Sequence, residues 1–184
     1  MKNLTPPNPP IKQTVIVALK QAAFRIVPAA LLYRLWHLNT RRRPRFLLGD
    51  LSSRREFPVQ EGVQLHVGWA DVPGVGSGPT ASLYVHREEV LRLDCFGGDA
   101  GHMHLNPEQN KVHITHGSAR VYFQPGDLEE QVDRAAFELV TNTRGALLTN
   151  KLARVRDFPL DPQNLSSAAQ KMTDYMKGLI AERG

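Results

Sequence analysis

The feature that most constrains the fold is a change in hydrophobic period near Gly62. From there, every second residue is apolar, so that Val63, Leu65 and Val67 alternate with Gln64, His66 and Gly68. This alternation is typical of a strand with one buried and one polar face. Similar short segments follow at 82–86, 90–96, 102–105, 111–116 and 119–123. The short turns between these later segments predict an antiparallel meander.

Two helices are predicted after the strands. Asp127 and Glu130 form a capping box, and an apolar stripe at helical spacing follows them up to a predicted end at Gly145. Asp161 followed by Pro162 indicates the start of a final helix, whose stripe includes Met172 and Met176 as core residues. We therefore expect an α+β domain over residues 50–184, with an antiparallel β-meander packed against two C-terminal helices.

Two connections are also predicted. Residues 73–79 contain three glycines between two prolines and are expected to form a flexible loop. No helix pattern and no lysine follow these glycines, so they do not match a phosphate-binding loop. Residues 87–89, Arg-Glu-Glu, are expected to form a tight charged turn between two strands.

The cysteine content limits the classes of site. Cys95 is the single cysteine among 184 residues, which excludes an internal disulfide and a zinc site built on a cysteine cluster. A reducing, cytoplasmic environment fits this composition best. Strand alternation predicts that Cys95 faces the core.

Charge divides the chain into two parts. Residues 1–49 contain nine basic and no acidic residues, so this arm carries +9, whereas the remaining 135 residues carry −4. We treat residues 1–49 as a basic N-terminal arm, with a proline-rich start and two helical stretches. The charged residues Lys20, Arg25 and Arg34 interrupt its apolar pattern. Each charge at the centre of a span costs about 2.5–3.5 kcal/mol, so a transmembrane helix is not expected.

The arm predicts an anionic partner. Its most basic part is the run of Arg41, Arg42, Arg43 and Arg45. These side chains are candidate contacts for RNA or another polyanion. An anionic membrane surface and a partner protein are alternatives, and so is packing of the arm on the domain's own sheet.

Polar residues in the central strands form the candidate site. With residues 97–101 as the connecting loop, Phe96 is predicted to pair with His102 and Asp94 to lie opposite His104. Alternation then places His102 and His104 together, facing solvent or a groove. Arg92 shares this face, and His113 is expected to pair with His104.

Three interpretations of these five residues stay open. Two histidines can serve as general base and general acid, with Asp94 as their partner and Arg92 stabilising negative charge, which is the requirement of a metal-independent ribonuclease without a cofactor. Asp94, His102 and His104 can instead bind a divalent transition metal. The third interpretation is a set of exposed sheet histidines without chemistry.

One family resemblance bears on this choice. Arg92-Leu93-Asp94, a glycine-rich turn and Gly101-His102-Met103-His104 resemble a pattern in small bacterial domains, including TumE-like toxins of toxin–antitoxin systems. The resemblance covers about twenty of 184 residues. It implies a compact bacterial α+β domain and a toxin acting on RNA, with Asp94, His102 and His104 at the matching positions. The basic arm and two substantial C-terminal helices depart from that pattern.

Overall fold

The described residues form a six-stranded antiparallel sheet with helices against one face. The structure, a computed structural model, describes residues 51–110 and 120–183. The strands are β1 (Ser52–Gln60), β2 (Val63–Val72), β3 (Gly76–Val85), β4 (Glu88–Asp94), β5 (His102–Leu105) and β6 (Val121–Tyr122). Each strand pairs with the next one in the chain, in the order β1 to β6. The predicted meander is therefore confirmed, while the arm and the strand at 111–116 lie outside the described residues.

The part of the chain that the structure describes also contains four helices: α1 (Pro107–Asn110), α2 (Leu128–Leu148), α3 (Ala153–Arg156) and α4 (Pro162–Ala181). The capping box of α2 is present, with Asp127 and Glu130 bonding each other's backbone N–H groups. Asp161 caps α4 by accepting from the Gln163 N–H, and Pro162 is its first residue. Both predicted C-terminal helices are confirmed. Within the two described segments, no helix combines the length and the apolar character needed to cross a bilayer.

The core lies between one sheet face and the two long helices. Helix α4 packs on β1, β2 and β3, while α2 packs on β3, β4 and α4. The alternating residues Leu65, Leu83 and Leu93 meet the helices on this face, and Met172 and Met176 are fully buried among them. Burial of this apolar surface is the main source of the domain's stability.

Strand β1 was not predicted from the sequence. Its first five residues, 52–56, are exposed and mostly polar or charged, and only Phe57 and Val59 of the strand contribute to the core. Pro58 and a register shift between Ser52 and Arg55 complete the profile of an edge strand. Because an edge strand avoids exposing a long apolar run, it gives little alternation to detect.

The predicted loop at 73–79 is wrong. Only residues 73–75 form the turn, and Gly76 and Gly78 belong to β3. A Cβ at Gly76 would lie 2.6 Å from Cβ of Phe96, and one at Gly78 would lie 2.0 Å from the carbonyl oxygen of Cys95. These glycines permit close approach of the chain after β4, a role that sequence does not distinguish from loop flexibility.

Two element boundaries also differ from prediction. The turn before β4 consists of His86 and Arg87, both with positive φ, as in a type I′ hairpin. Glu88 and Glu89 therefore belong to the strand and are buried. Helix α2 continues through Gly145 to Leu148, because Ala146 and Leu147 extend its buried stripe.

We expect Gly78→Ala to destabilise the protein by about 3 kcal/mol or more, since overpacking usually costs 1–3 kcal/mol and the obstacle here is backbone. Gly178→Ala is the matched control. That exposed position in α4 has open space around its Cβ direction, so alanine should stabilise the helix by up to about 1 kcal/mol. Urea denaturation of both variants measures the two effects. Equal stability of the Gly78 variant and the wild type would contradict the close approach.

Candidate functional site

The sheet face opposite the helices carries two rows of polar residues. Thr80, Asp94 and His102 are register partners across β3, β4 and β5. In the next row, His66, Ser82, Arg92 and His104 are partners across β2 to β5. The predicted shared face of Arg92, Asp94, His102 and His104 is confirmed.

The predicted pairing within that face is wrong by two residues. Asp94 lies opposite His102, and Arg92 lies opposite His104. The pairing of β4 with β5 ends at Asp94. The next residue, Cys95, donates its N–H to the Pro79 carbonyl of β3 at 2.8 Å. The connection to β5 is therefore longer than the five residues predicted for it. A shift of two residues preserves which face each side chain occupies, so the cluster still forms.

Asp94 contacts both imidazoles through one carboxylate oxygen. Its Oδ2 lies 3.3 Å from Nε2 of His102 and 3.4 Å from Nε2 of His104. Its other oxygen, Oδ1, accepts a 2.5 Å hydrogen bond from the Thr80 hydroxyl. The two imidazole rings meet edge to face, with centroids 4.7 Å apart. We call Asp94, His102 and His104 the triad.

The triad is enclosed, which contradicts the expectation that it faces solvent or a groove. Asp94 and His102 are each 2% exposed and His104 is 5% exposed. Alternation determines the face on which a side chain lies, but it carries no information about what covers that face. The third interpretation is therefore wrong in its exposure, while its absence of chemistry stays untested.

Electrostatics favours an ionised Asp94. Burial alone would raise the pKa of its carboxyl group, but hydrogen bonds from His104 and Thr80 and the positive charge of Arg92 hold the pKa below its ordinary value. Asp94 is thus an anion enclosed by groups that bond it, as buried charges require.

His102 favours the neutral state. Burial lowers its pKa, and the Ala100 carbonyl and the Asp94 charge offset this only in part. Its Nδ1 lies 2.7 Å from the Ala100 carbonyl oxygen. A carbonyl oxygen can only accept, so Nδ1 carries the hydrogen and Nε2 of the neutral ring has a lone pair. That lone pair faces the Asp94 carboxylate, and two acceptors at 3.3 Å repel unless a cation lies between them.

The triad is a set of side chains that could hold a metal ion. Each residue offers one ligand atom, and the three atoms lie within 4.8 Å of one another. Ligands bound to zinc at about 2.05 Å with tetrahedral angles are about 3.4 Å apart. The two distances from Asp94, 3.3 and 3.4 Å, match that edge. Two ligand atoms that each lie about 2.1 Å from one ion can be at most about 4.2 Å apart. A small rotation of an imidazole ring would therefore bring all three ligand atoms, now within 4.8 Å of one another, into reach of one ion.

Arg92 lies beside the triad but is bonded elsewhere. Its guanidinium donates to both carboxylate oxygens of Glu89, at 2.7 and 2.6 Å. Ser82 donates a further hydrogen bond of 2.8 Å to Glu89. The predicted role of Arg92 at a reacting phosphate would require it to leave a buried, bidentate ion pair. Its charge acts instead on the neighbouring Asp94 carboxylate.

Sequence reasoning missed Glu89 and Thr80. Glu89 shares the face of Arg92 because a bulge between β3 and β4 shifts the register after Leu83, and simple alternation would have placed it on the core face. Thr80 came directly after the expected loop at 73–79 and was not assigned to a strand. A prediction that began β3 earlier would have placed Thr80 on the polar face, because it lies two residues before Ser82 in the same strand.

The remaining predicted site residues have different outcomes. Cys95 is fully buried on the core face, as predicted, and burial raises the pKa of its thiol, which removes it as a nucleophile. His113 lies outside the described residues. So do Arg41, Arg42, Arg43 and Arg45.

Comparison with protein-family models, with curated proteins and with solved structures found no match. The resemblance to TumE-like toxins therefore stays a prediction. Any function assigned to the domain depends on the geometry of the triad.

Because the pKa of His102 is lowered on folding, the unfolded chain takes up a proton near pH 6.5 that the folded chain does not. The free energy of unfolding should therefore fall as pH decreases below 6.5, by at most about 1.4 kcal/mol per pH unit for one proton. We expect His102→Gln to flatten this dependence. Urea denaturation between pH 7.5 and 5, with chelator present, measures it.

His66 provides the comparison, since burial lowers its pKa too. His66→Gln should remove a separate part of the dependence, and the double variant should be flatter than either single variant. A slope for His102→Gln equal to that of the wild type would show that folding does not lower the pKa of this ring.

Proposed function

We propose that this domain binds a divalent transition metal, with zinc the best match, through Oδ2 of Asp94 and Nε2 of His102 and of His104. The observation that carries the proposal is the pair of acceptors in contact, the neutral His102 nitrogen against the ionised Asp94 oxygen. A bound cation would convert this repulsion into two coordinate bonds, and His104 would bind the same ion through Nε2 after releasing the hydrogen that it donates to Asp94 in the metal-free protein. Imidazole and carboxylate are ligands that zinc and related ions accept.

The surroundings of two ligands support the proposal. A histidine that binds a metal usually donates its other ring N–H to a carbonyl or carboxylate, which fixes the ring orientation and tautomer. His102 does so with Ala100. A metal-binding carboxylate is usually hydrogen-bonded through its second oxygen, and Asp94 accepts from Thr80 there.

Three protein ligands would leave one position of a tetrahedral ion open. Catalytic zinc sites have this composition, with water or substrate as the fourth ligand, whereas structural zinc sites usually have four protein ligands. The low exposure of the triad favours water or a small ligand at that position.

The second candidate function is action on nucleic acid. The same three residues supply an acid–base pair with its carboxylate partner, and the +9 charge of residues 1–49 supplies affinity for phosphates. The charge division between arm and domain is the observation that favours it. A phosphodiester would have to reach side chains that are at most 5% exposed, so the metal site is the better supported proposal.

For the metal site, we expect untagged protein to bind one Co²⁺ per chain, followed by its visible absorption, with Zn²⁺ displacing it. Asp94→Asn, His102→Gln and His104→Gln should each weaken binding by more than the 10- to 100-fold typical for loss of a supporting residue. Zn²⁺ at 100 times its dissociation constant should stabilise the protein by about 2.7 kcal/mol.

His66→Gln is the matched control, because it removes a buried histidine from the same sheet face without touching the triad. It should leave Co²⁺ affinity unchanged. Failure of the wild type to bind either metal, together with RNA cleavage in chelator that His104→Ala abolishes, would replace the metal site with the acid–base function.

For the arm, we expect substitution of its arginine run to weaken binding to single-stranded RNA. Four lost phosphate contacts would reduce the slope of log affinity against log salt by about 2.8. Fluorescence anisotropy over a salt series measures this, and anionic vesicles in place of RNA test the membrane alternative. The substituted residues are Arg41, Arg42, Arg43 and Arg45.

A control with the same change in net charge separates the arm from general electrostatics. It carries four substitutions in the C-terminal part of the domain and should bind RNA with nearly the wild-type slope. Equal slopes for the arm variant and the wild type would exclude the arginine run as a contact surface. The control residues are Arg144, Lys151, Arg154 and Lys171.

A further inference from the structure

One amide side chain connects helix α2 to the loop between β4 and β5. Gln131 lies in the first turn of α2 and is 1% exposed. Its Oε1 accepts a 2.8 Å hydrogen bond from the Gly97 N–H, and its Nε2 donates a 2.8 Å bond to the Gly98 carbonyl. A primary amide is the side-chain group that can both accept and donate in this way. Gln131 thus binds two consecutive residues of the loop, through the N–H of Gly97 and the carbonyl of Gly98.

The loop has the shape that this amide requires. Gly97 and Gly98 both have positive φ, at 71° and 52°, where glycine is favoured. A Cβ at Gly101 would lie 2.0 Å from Oε1 of Gln131. Gly101 therefore leaves the space in which the amide sits, and a larger residue there would displace it from both hydrogen bonds.

The same loop orients His102. The Ala100 N–H donates to the Gly97 carbonyl at 3.1 Å, which fixes Ala100 relative to Gly97, the residue whose N–H Gln131 accepts. The Ala100 carbonyl then accepts from Nδ1 of His102 at 2.7 Å. A continuous chain of hydrogen bonds thus runs from the core helix to the triad, from Gln131 through Gly97 and Ala100 to His102.

We propose that Gln131 is the positioning residue of the metal site. By binding the loop at Gly97 and Gly98, it places the Ala100 carbonyl beside His102. That carbonyl fixes the Nδ1–H tautomer of His102, so that the Nε2 lone pair points at the ion. This inference rests on the proposed metal binding. Its action on the tautomer, however, is a property of the protein without metal. Loss of the Ala100 contact frees His102 to take the other tautomer, in which Nε2–H donates to Asp94 and no longer offers a lone pair.

The test uses Gln131→Met in the full-length chain, a side chain of similar length without the amide. In metal-free protein, NMR of the imidazole nitrogens should show the Nδ1–H tautomer of His102 in the wild type and the Nε2–H tautomer in the variant. The dissociation constant for Co²⁺ should rise about 10-fold or more. Gly101→Ala displaces the amide by a different route and should give the same two changes.

Val132→Ala is the matched control for loss of stability. Val132 is the next residue of α2 and is fully buried in the core, while the side-chain hydrogen bonds to Gly97 and Gly98 come from Gln131. Its truncation should lower the melting temperature while leaving the His102 tautomer and the Co²⁺ affinity unchanged. If it shifts the tautomer as Gln131→Met does, Gln131 acts only through stability and the inference is wrong.

The outcomes separate this inference from the proposed function. Co²⁺ binding by the wild type with an unchanged tautomer and affinity in both Gln131→Met and Gly101→Ala would overturn the inference and leave the metal site standing. Absence of Co²⁺ binding in the wild type would overturn the metal site, and Gln131 with it as a residue of that site. The tautomer comparison would then show whether Gln131 still orients His102.

Discussion

The pairing of β4 with β5 is the contact on which the site depends. It brings Asp94 opposite His102 and leaves His104 two residues further along, so one carboxylate oxygen lies within 3.4 Å of both imidazole nitrogens. Residues directly opposite each other on antiparallel strands have Cβ atoms about 4.5–5.5 Å apart, which is close enough for such side-chain contacts. Different pairing by an odd number of residues would have moved the histidines to the core face.

Enclosure gives this cluster its chemical character. In water, Asp94 and two histidines would be ordinary titrating groups. Buried, an ionised carboxylate requires partners, and Thr80, His104 and the nearby Arg92 meet that requirement. His102 differs, because its hydrogen is committed to Ala100 and its second nitrogen meets another acceptor. That mismatch is the basis of the proposed metal site, since a cation between the two atoms would remove the repulsion.

The two faces of the sheet are mechanically connected. Helix α2 belongs to the core face through Val132 and Leu139, yet its Gln131 reaches the loop that leads into β5. Cys95 adds a second contact by donating from its thiol to the Gln131 carbonyl at 3.4 Å. Packing of the apolar face therefore determines where the loop lies, and the loop contacts the His102 ring on the polar face. This explains how a domain built on one hydrophobic layer can hold a polar cluster rigidly.

The order of elements was predictable because it depends on local patterns. Alternation at Val63, Leu65 and Val67 specifies a strand by itself, and the Asp127–Glu130 capping box specifies a helix start through contacts three residues apart. The shared face of Asp94, His102 and His104 followed from the same period of two. The missed strand β1 shows the limit, since its polar edge has almost no period to detect.

Sequence by itself determined the antiparallel meander, its two C-terminal helices and the grouping of Asp94, His102 and His104, because each follows from the period of side chains along a single chain. Tertiary structure decided the register, the burial of the triad, the Arg92–Glu89 pair and the contact of Gln131 with the loop. Those properties depend on where a strand ends, where a bulge occurs and which residues distant in sequence meet. The error of two residues in the partner of Asp94 and the wrong face expected for Glu89 both come from such long-range contacts. The pairing of two strands depends on residues of the partner strand, which the pattern within one segment does not include.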